Sequence, residues 1–421
     1  MSALVPLEEV REHILSSVPE LPVVRVPLEE AGGHATAQRV DCAESVPPFD
    51  NSAMDGYAVR AADTAGATDV APAVLHVVAD LPAGHAPTAD VGPGEAVRIM
   101  TGAVVPDGAD AVVMVESTES SGDSVAVKVA AAVGDHVRRA GGDLTPGDRV
   151  LEVGTTLGPA HVGVLASIGH TTVSVRRAPR VGVLSTGDEL VDPARAGELV
   201  AGQIRDANRP MLLEVLRAAG AVPVDLGIAR DDEDLIVDIL GRALGDPVAT
   251  PGSPGGCDAV LTSGGVSVGD YDYVKAALER LGSLSSYRVA IKPAKPLAYG
   301  SVNGRPVFGL PGNPVSSLVS FELFARPALL QMAGHRKRFR PQVEAVAEED
   351  MRRRSDGKVH FDRVAVTVTD GRYRARRTGS QSSNVLSATA AADGLAVLPD
   401  GEGVESGRNV RVMLLHAPAD H

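Results

Sequence analysis

Strand-like and helix-like segments alternate along the chain from Arg180 to about residue 334. Apolar runs such as "RVGVLSTGDEL" and "DAVLTSGG" end in polar loops, and amphipathic segments such as "NRPMLLEVLRAAG" and "DEDLIVDILGRAL" lie between the strands. An alternation of this kind over about 150 residues predicts a doubly wound parallel sheet with helices on its faces.

Polar signatures fall where these predicted strands end. They are "STGDE", "TSGGVSVGD", "KPAK" and "PGNP". In an open α/β sheet, the loops at the carboxyl ends of the strands form the ligand crevice. The sequence therefore predicts that the four segments line one binding site.

The rest of the chain is richer in short strands. A short amphipathic helix is expected near the N-terminus, with Leu7, Val10, Ile14 and Leu15 on one face. We expect four parts, of which the α/β part covers residues 179–334. The others are a discontinuous N-terminal part at 1–48 and 141–178, an inserted β-rich part at 49–140 and a C-terminal β-rich part at 335–421.

Charge and composition exclude several classes of partner. The formal net charge is −14, and aromatic residues make up 3% of the chain with no tryptophan. This balance argues against nucleic acid and against an anionic membrane surface. Cys42 and Cys257 are the only cysteines, so neither a disulfide framework nor a cysteine metal site is expected. No apolar run reaches membrane-spanning length, and we expect a cytoplasmic protein.

The segment "TSGGVSVGDYDYVK" is a candidate phosphate cradle, because glycine amides and serine hydroxyls can surround a phosphate. Its candidate binding residues are Ser263, Gly264, Gly265, Ser267 and Gly269.

Asp270 and Asp272 follow directly, where carboxylates would repel a phosphate unless a cation lies between them. Helix capping is the alternative role for both.

Further carboxylates stand at other strand ends. Asp188 and Glu189 follow one strand, and Asp231 and Asp232 follow another. Carboxylates at helix starts commonly interact with the helix dipole, whereas several in one crevice would suit Mg²⁺. The metal candidates are Asp188, Glu189, Asp231, Asp270 and Asp272. The histidine spacing fits no zinc site.

Two basic residues lie in "YRVAIKPAKP", which is expected to be a strand. At their spacing, Lys292 and Lys295 would point to opposite faces of an extended segment, but a turn would bring them together. A solvated charge pair is the default alternative.

The segment "GLPGNPVSS" predicts a capped helix start. Asn313 suits the N-cap and Pro314 the first helical position. Pro311, Gly312 and Ser316 complete a turn that suits either a purely structural role or anion binding, and the motif alone does not decide between them.

Six segments, in order along the chain, resemble the molybdopterin molybdenumtransferase family, the MoeA-like proteins that include the E domain of gephyrin. They are "PPFDNSAMDGYAV", "IMTGAVVPDGADAVV", "GVLSTGDEL", "TSGGVSVGDYDYVK", "IKPAKP" and "GLPGNPVS". The resemblance implies a multidomain α/β plus β fold. Its parts would be a central doubly wound MogA-like α/β domain, an inserted β domain, an elongated helical and strand linker domain and a small C-terminal β-barrel domain.

The resemblance also implies an activity. The family are transferases that insert molybdate into adenylylated molybdopterin, release AMP and depend on Mg²⁺. They work as homodimers whose subunits share active sites. A molybdopterin adenylyltransferase and the enzymes that accept the finished cofactor are the implied partners.

Residue roles follow from the same resemblance. Asp55 and Thr101 match residues that one subunit lends to the active site of its partner. Glu189, Asp231 and Asp272 match carboxylates implicated in activity. The remaining matches are Asp143, the basic pair Lys292 and Lys295, the prolines Pro311 and Pro314, and Arg363 and Ser383 in the terminal domain.

Three positions depart from the family pattern. Arg288 stands where some relatives have lysine, Ala294 where glycine is usual, and "QSSNV" where others read "QGSH".

Two other functions compete with this interpretation. One is molybdopterin adenylyltransferase, which would need the α/β part alone. The other is a non-enzymatic scaffold that binds peptides. Tungstate also remains open beside molybdate, since the two oxyanions are nearly the same size.

Overall fold

The computed structural model describes residues 3–245, 256–265, 273–417 and 419–420. The first stretch holds a short helix and three short strands. They are α1 (Leu7–Ser17), β1 (Val23–Pro27), β2 (Val40–Asp41) and β3 (Asn51–Ser52). Leu7, Val10 and Ile14 of α1 are buried, as their helical spacing predicts.

A compact β region follows. Its strands are β4 (Gly56–Val59), β5 (Ala73–Leu81), β6 (Glu95–Ile99), β7 (Ala111–Met114), β8 (Thr118–Ser121) and β9 (Ser124–Val127). They form one sheet in the order β7-β4-β6-β5-β9-β8.

The chain then returns to pair with its first strands. The elements are β10 (Val137–Arg138), β11 (Arg149–Leu151), α2 (Pro159–Ser167) and β12 (Thr172–Arg176). β10 pairs with β3, β11 with β2 and β12 with β1. The residues before and after the inserted sheet therefore share a core, in which Leu28 and Val40 pack with Leu165 and Val175.

The central sheet comes next. Its region contains β13 (Arg180–Thr186), β14 (Leu190–Val191), β15 (Ile204–Arg205), α3 (Asn208–Ala218), β16 (Val222–Ala229), α4 (Glu233–Ala243), β17 (Ala259–Ser263), α5 (Tyr273–Leu281), β18 (Ser283–Arg288), β19 (Ile291–Lys292), β20 (Pro296–Val302) and β21 (Arg305–Leu310). The strand order is β16-β13-β17-β21-β20-β18. The first four strands are parallel, which confirms the doubly wound α/β architecture.

One strand of this sheet, β20, runs the other way, since it pairs antiparallel with both β21 and β18. β20 and β21 form a hairpin whose turn is Asn303–Gly304, and both residues have positive φ (52° and 74°). That conformation is the one an Asn-Gly pair favours in a two-residue hairpin turn. The expectation of a single strand over "YRVAIKPAKP" is wrong, because the segment is split between β18, β19 and the start of β20.

Helices cover both faces of the sheet. On one face, α4 and α5 bury Ile236, Leu240, Ala277 and Leu278. On the other, α1 and α3 pack with a long helical run made of α6 (Pro314–Ser320), a π-helical turn (Phe321–Ala325) and α7 (Arg326–Met332).

The C-terminal part is a closed five-stranded barrel. Its elements are β22 (Gln342–Ala347), β23 (Met351–Arg352), β24 (Val359–Thr369), β25 (Arg372–Arg377), α8 (Leu386–Ala390), β26 (Gly394–Leu398), β27 (Gly403–Val404), β28 (Asn409–Leu414) and β29 (Ala419–Asp420). Strands β22, β25, β24, β26 and β28 pair in a ring. The predicted barrel is thus confirmed, and with it the multidomain α/β plus β fold class.

The barrel is joined to the central region by backbone and by packing. β19 pairs with β24 through Ile291–Val359 and Lys292–His360, and Phe361 and Met413 lie in the same apolar core as α1. In the described parts of the chain, no helix is both long and apolar enough to cross a membrane.

Candidate active site

Two cavities lie side by side at the carboxyl ends of the parallel strands. Pro296, Pro311 and Asn313 line both of them. One cavity, of about 640 Å³, is bordered by Glu189, Asp206 and Asp231 and is called the acidic cavity here. The other, of about 940 Å³, is bordered by several lysine and arginine side chains and is called the basic cavity.

The acidic cavity contains the candidate phosphate cradle as far as the structure describes it. Ser263, Gly264 and Gly265 follow β17 and line the cavity wall. Gly264 has φ +100° and its amide donates to Leu310 O at 3.1 Å. A Cβ at Gly264 would lie 2.5 Å from Thr186 O, so this position requires glycine. Ser267, Gly269, Asp270 and Asp272 lie outside the described residues.

Carboxylates crowd one end of the acidic cavity. The pKa of Asp231 is raised by burial and by the negative charges of Asp188 and Glu189. The Asp231 amide donates to Asp188 Oδ1 at 3.3 Å. Asp232, by contrast, caps α4, since its Oδ1 accepts from the Leu235 amide at 3.0 Å. Among the described residues, no three acidic, histidine or cysteine side chains are arranged to hold a metal ion by themselves.

The basic cavity brings the two predicted lysines together. Lys292 and Lys295 both line it, because the intervening turn reverses the chain. Ala294, at the centre of that turn, has φ +74°. This left-handed conformation favours glycine, so the usual glycine of the family pattern has a physical reason here. The turn rather than a strand places the lysines on one side.

Most other cations of the basic cavity are already paired. The Arg353 guanidinium donates to the carbonyls of Lys358, Leu398 and Pro399 and to Asp356 and Asp400.

Arg377 pairs with Asp362, and Lys358 Nζ lies 2.6 Å from Asp356 Oδ2. Within the described residues, Lys292, Lys295 and Arg354 line the same cavity and have no such acceptor. The free positive charge is therefore concentrated at these three side chains.

The turn between the cavities differs from its prediction in one respect. Asn313 stands at the N-cap position of α6, but its side chain makes no capping hydrogen bond. Its Nδ2 donates instead to Ser383 Oγ of the barrel at 3.1 Å, and the Val315 amide donates to Ser383 O. Barrel contacts thus replace the expected cap, while Ser316 and Ser383 line the basic cavity.

Arg363 lies behind this wall and is fully buried. Its Nη2 donates to the carbonyls of Ser380 and Ser382, and burial lowers its pKa. In the described part of the chain, its Nε and Nη1 have no hydrogen-bond partner. Buried donors are nearly always paired, so the hydrogen bonding of this guanidinium is incomplete within the described residues.

The residues expected to serve a partner subunit lie in neither cavity. The amide and hydroxyl of Thr101 donate to Asp55 Oδ1 at 2.7 and 2.8 Å. These bonds lower the pKa of Asp55 and keep the exposed carboxylate ionised. Asp143 is also exposed, and it joins neither cavity lining.

Sequence reasoning missed the residues just before and at the start of α3. Asp206 and Asn208 line the acidic cavity and are at least nine-tenths buried. Their signal was available: the polar run "RDANRP" opens the amphipathic helix, as polar runs open the other site segments.

Comparison with known proteins covers nearly the whole chain. Residues 5–169 match the family described as "MoeA N-terminal region (domain I and II)", and residues 182–331 match "Probable molybdopterin binding domain". Residues 345–415 match "MoeA C-terminal region (domain IV)".

Individual relatives give the same result. Molybdopterin molybdenumtransferase 2 of Mycobacterium tuberculosis is 40% identical over 383 residues, which cover 90% of this chain and 91% of the relative. Molybdopterin molybdenumtransferase of Nostoc sp. is 37% identical over 424 residues, covering 97% and 94%. A crystal structure of a molybdopterin biosynthesis MoeA protein from Pyrococcus horikoshii OT3 has a TM-score of 0.81, with 30% identity over 98% of this chain and 100% of that one.

Fold, cavities and relatives together define a transferase of molybdenum cofactor biosynthesis. The chain belongs to the molybdopterin molybdenumtransferase family.

Proposed function

We propose that this chain inserts molybdate into adenylylated molybdopterin and releases AMP, which completes the molybdenum cofactor. The observation that carries the proposal is the adjacency of the two cavities. An amide cradle and carboxylates lie on one side of the Pro311 turn. On the other side lie Lys292 and Lys295, which have no acceptor among the described residues. A substrate that carries both a phosphoanhydride and a metal-accepting group would need both environments in contact.

Molybdate is assigned to the basic cavity. It is a tetrahedral dianion, and charge-assisted hydrogen bonds from Lys292 and Lys295 suit its oxygens. The Arg363 guanidinium, whose Nε and Nη1 have no partner among the described residues, lies behind the same wall and adds positive charge there. Tungstate has the same shape and charge, and the assignment covers both oxyanions.

The nucleotide phosphate is assigned to the acidic cavity. Gly264 and Gly265 both have positive φ, so the backbone there can approach a phosphate without a Cβ in the way. Pro311 and Pro314 flank Gly312 and Asn313 and restrict the backbone of the shared wall. We assign the prolines a shaping role and no chemical one.

Glu189 and Asp231 would hold Mg²⁺ in the acidic cavity. Mg²⁺ commonly takes one or two protein carboxylates, with waters and substrate phosphates as its other ligands. Glu189 and Asp231 line the cavity, and burial together with the negative charges of Asp188 and Glu189 raises the pKa of Asp231. Asp188, Asp270 and Asp272 complete the proposed carboxylate set. When bound, Mg²⁺ would neutralise charge that develops on the phosphoanhydride during P–O cleavage.

The reaction then divides between the two sides. The acidic cavity orients the phosphoanhydride. A water oxygen attacks the adenylyl phosphorus, the bond from that phosphorus to the bridging oxygen breaks, and AMP departs while the other phosphate stays on molybdopterin. The basic cavity holds the oxyanion beside the dithiolene that receives it. The lysine ammonium groups offset the charge of the oxyanion and hold its orientation.

A homodimer is part of the proposal. The Asp55–Thr101 pair is exposed and lies in neither cavity of its own chain, so a second subunit is the natural recipient of its carboxylate. We place the protein in the cytoplasm. There a molybdopterin adenylyltransferase would supply its substrate, and cofactor-accepting enzymes would take its product.

A reconstitution assay tests the proposal. Purified chain is incubated with adenylylated molybdopterin, Mg²⁺ and molybdate, and AMP release and active cofactor are both measured. We expect both products to form together and to need molybdate.

Adenylyl transfer from ATP to molybdopterin, without molybdate uptake, would instead favour the adenylyltransferase function. No binding of either AMP or molybdate would favour a scaffold.

A further inference from the structure

A polar segment at the start of α3 hydrogen-bonds β13, β16 and β17 and the turn that follows β21. It comprises Asp206, Asn208 and Arg209, and we call it the α3 bracket. Asp206, 2% exposed, accepts from Ser185 Oγ at the end of β13 and from the amides of Asn208 and Arg209, each at 3.1 Å. Arg209 pairs with Asp225 of β16 and with Asp192.

Asn208 makes the two remaining links. Its Nδ2 donates to Ser263 Oγ at 2.7 Å, where β17 ends, and to Gly312 O at 2.6 Å, just after β21. A carbonyl oxygen only accepts, so the bond to Gly312 O fixes which end of the amide carries the nitrogen. One side chain therefore spans the phosphate cradle and the turn that separates the two cavities.

The orientation of Asn208 leaves a buried acceptor unmatched. Asn208 is 9% exposed, and in the described residues its Oδ1 has no donor. Leaving a buried polar atom unpaired is unfavourable. The two hydrogen bonds from Nδ2 therefore fix the orientation of the amide, although Oδ1 gains no hydrogen bond from it. The hydrogen bonds of Asn208 thus connect the loop after β17 to the turn after β21.

We propose that Asn208 is a positioning residue that sets the separation between the Ser263 loop and the Pro311 turn. It thereby fixes the bound nucleotide relative to the oxyanion on the other side of the turn. Misplacement of reacting groups by about 1 Å can cost about a hundredfold in rate, so the role predicts a loss in kcat. The proposal rests on the proposed function for its kinetic part and on the fold alone for its structural part.

The test compares Asn208→Ala and the isosteric Asn208→Asp with the control Asn303→Ala. Asn303 also donates from Nδ2 to a backbone carbonyl, that of Leu244 at 3.2 Å, but it lies in the β20–β21 hairpin away from both cavities. Its positive φ makes the control destabilising in its own right. A loss of stability is therefore separated from a loss of positioning.

We expect both Asn208 variants to lower kcat by about tenfold to a hundredfold while molybdate affinity changes by less than about threefold. Asn208→Asp keeps the shape but loses both donors, so it should be no better than Asn208→Ala. The control should keep kcat.

A second readout does not depend on activity. Hydrogen exchange of the Gly264 amide, which bonds Leu310 O, should rise about tenfold in the Asn208 variants and stay unchanged in the control.

Three outcomes would overturn the inference: normal kcat and exchange in Asn208→Ala, an active Asn208→Asp, or a melting temperature that falls far more than in the control. The last would make Asn208 a folding residue. If the wild-type chain fails to release AMP, the proposed function fails, and the exchange measurement still decides the role of Asn208.

Discussion

The acidic and basic cavities share a wall yet carry opposite charge. Among the described residues, the carboxylates of one cavity form no ion pair with the lysines of the other. Glu189 and Asp231 line one side, and Lys292 and Lys295 line the other. In a single cavity these groups would pair with each other and become unavailable to ligands. The Pro311 turn keeps them apart, and in the proposed function this separation would let one site accept both a cation and an oxyanion.

The two cavities also differ in which parts of the chain build them. The acidic cavity is lined almost entirely by the central α/β region, with Asn384 as the barrel residue in its wall. The basic cavity lies between that region and the barrel, which supplies residues from Arg352 to Ser383. The basic cavity should therefore depend on how firmly the barrel is docked, and the acidic cavity should not.

The largest effect is expected from the two free lysines. The double variant Lys292→Ala/Lys295→Ala should lower molybdate-dependent turnover by at least about a hundredfold, since charge-assisted hydrogen bonds contribute about 1.5–3 kcal/mol each. Affinity for AMP, measured by calorimetry, should remain within about twofold.

Lys358→Ala is the matched control for the lysine pair. Lys358 lines the same cavity, but its Nζ is held by Asp356. It should retain most activity, and an equal loss in this variant would show that total charge matters rather than the two free lysines.

The next effect concerns barrel docking. The Glu322 side chain lies in the π-helical turn, is 2% exposed and pairs through both oxygens with Arg340, just before β22. Breaking a buried pair by removing one partner costs about 3–5 kcal/mol. Glu322→Ala should lower the free energy of unfolding by about that amount and weaken molybdate binding more than AMP binding.

Asp238→Ala, which removes a surface pair with Arg242, should cost less than about 1 kcal/mol. If Glu322→Ala weakens the binding of molybdate and of AMP equally, the two cavities depend on the barrel to the same extent.

A smaller effect on the free energy of unfolding is expected from Asp231→Asn. The pKa of Asp231 is raised in the folded chain by burial and by the charges of Asp188 and Glu189. Between the unfolded and the folded pKa, Asp231 is therefore protonated in the folded state and ionised in the unfolded state. Stability from this proton is present at low pH and is lost as the pH rises through the raised pKa.

At neutral pH the variant should therefore be slightly more stable than the wild type, by less than about 1 kcal/mol because solvent screens the site, yet lose Mg²⁺-dependent turnover. Asp232→Asn keeps the helix cap and should change neither property. A fall in stability for Asp231→Asn, measured by urea unfolding from pH 3 to 8, would contradict this electrostatic account.

The smallest effect lies in the lysine turn. Ala294 has φ +74°, which costs an alanine about 1 kcal/mol relative to glycine. Ala294→Gly should therefore stabilise the chain by up to that amount, as seen in its melting temperature, with molybdate affinity nearly unchanged. Ala298→Gly, in the buried strand β20, should be destabilising, and the same sign for both variants would refute the backbone explanation.

The sequence predicted the acidic cavity better than the basic one. Strand periodicity placed Glu189, Asp231 and Ser263 at one sheet edge, because parallel strands end together. The convergence of Lys292 and Lys295 depends on the left-handed conformation of Ala294, which residue spacing does not reveal. Asn313 matched an N-cap pattern, but its side chain donates a hydrogen bond to Ser383, a distant barrel residue, and does not cap the helix. Such long-range contacts carry no local signal.

Anomalous diffraction from crystals soaked with molybdate and AMP tests the separation of the cavities most directly. We predict a molybdenum peak in the basic cavity, within hydrogen-bonding distance of Lys292 or Lys295, and the AMP phosphate beside Gly264 and Gly265 in the acidic cavity. A molybdenum peak among Glu189, Asp231 and Gly264, or an AMP phosphate bound by the two lysines, would contradict the account.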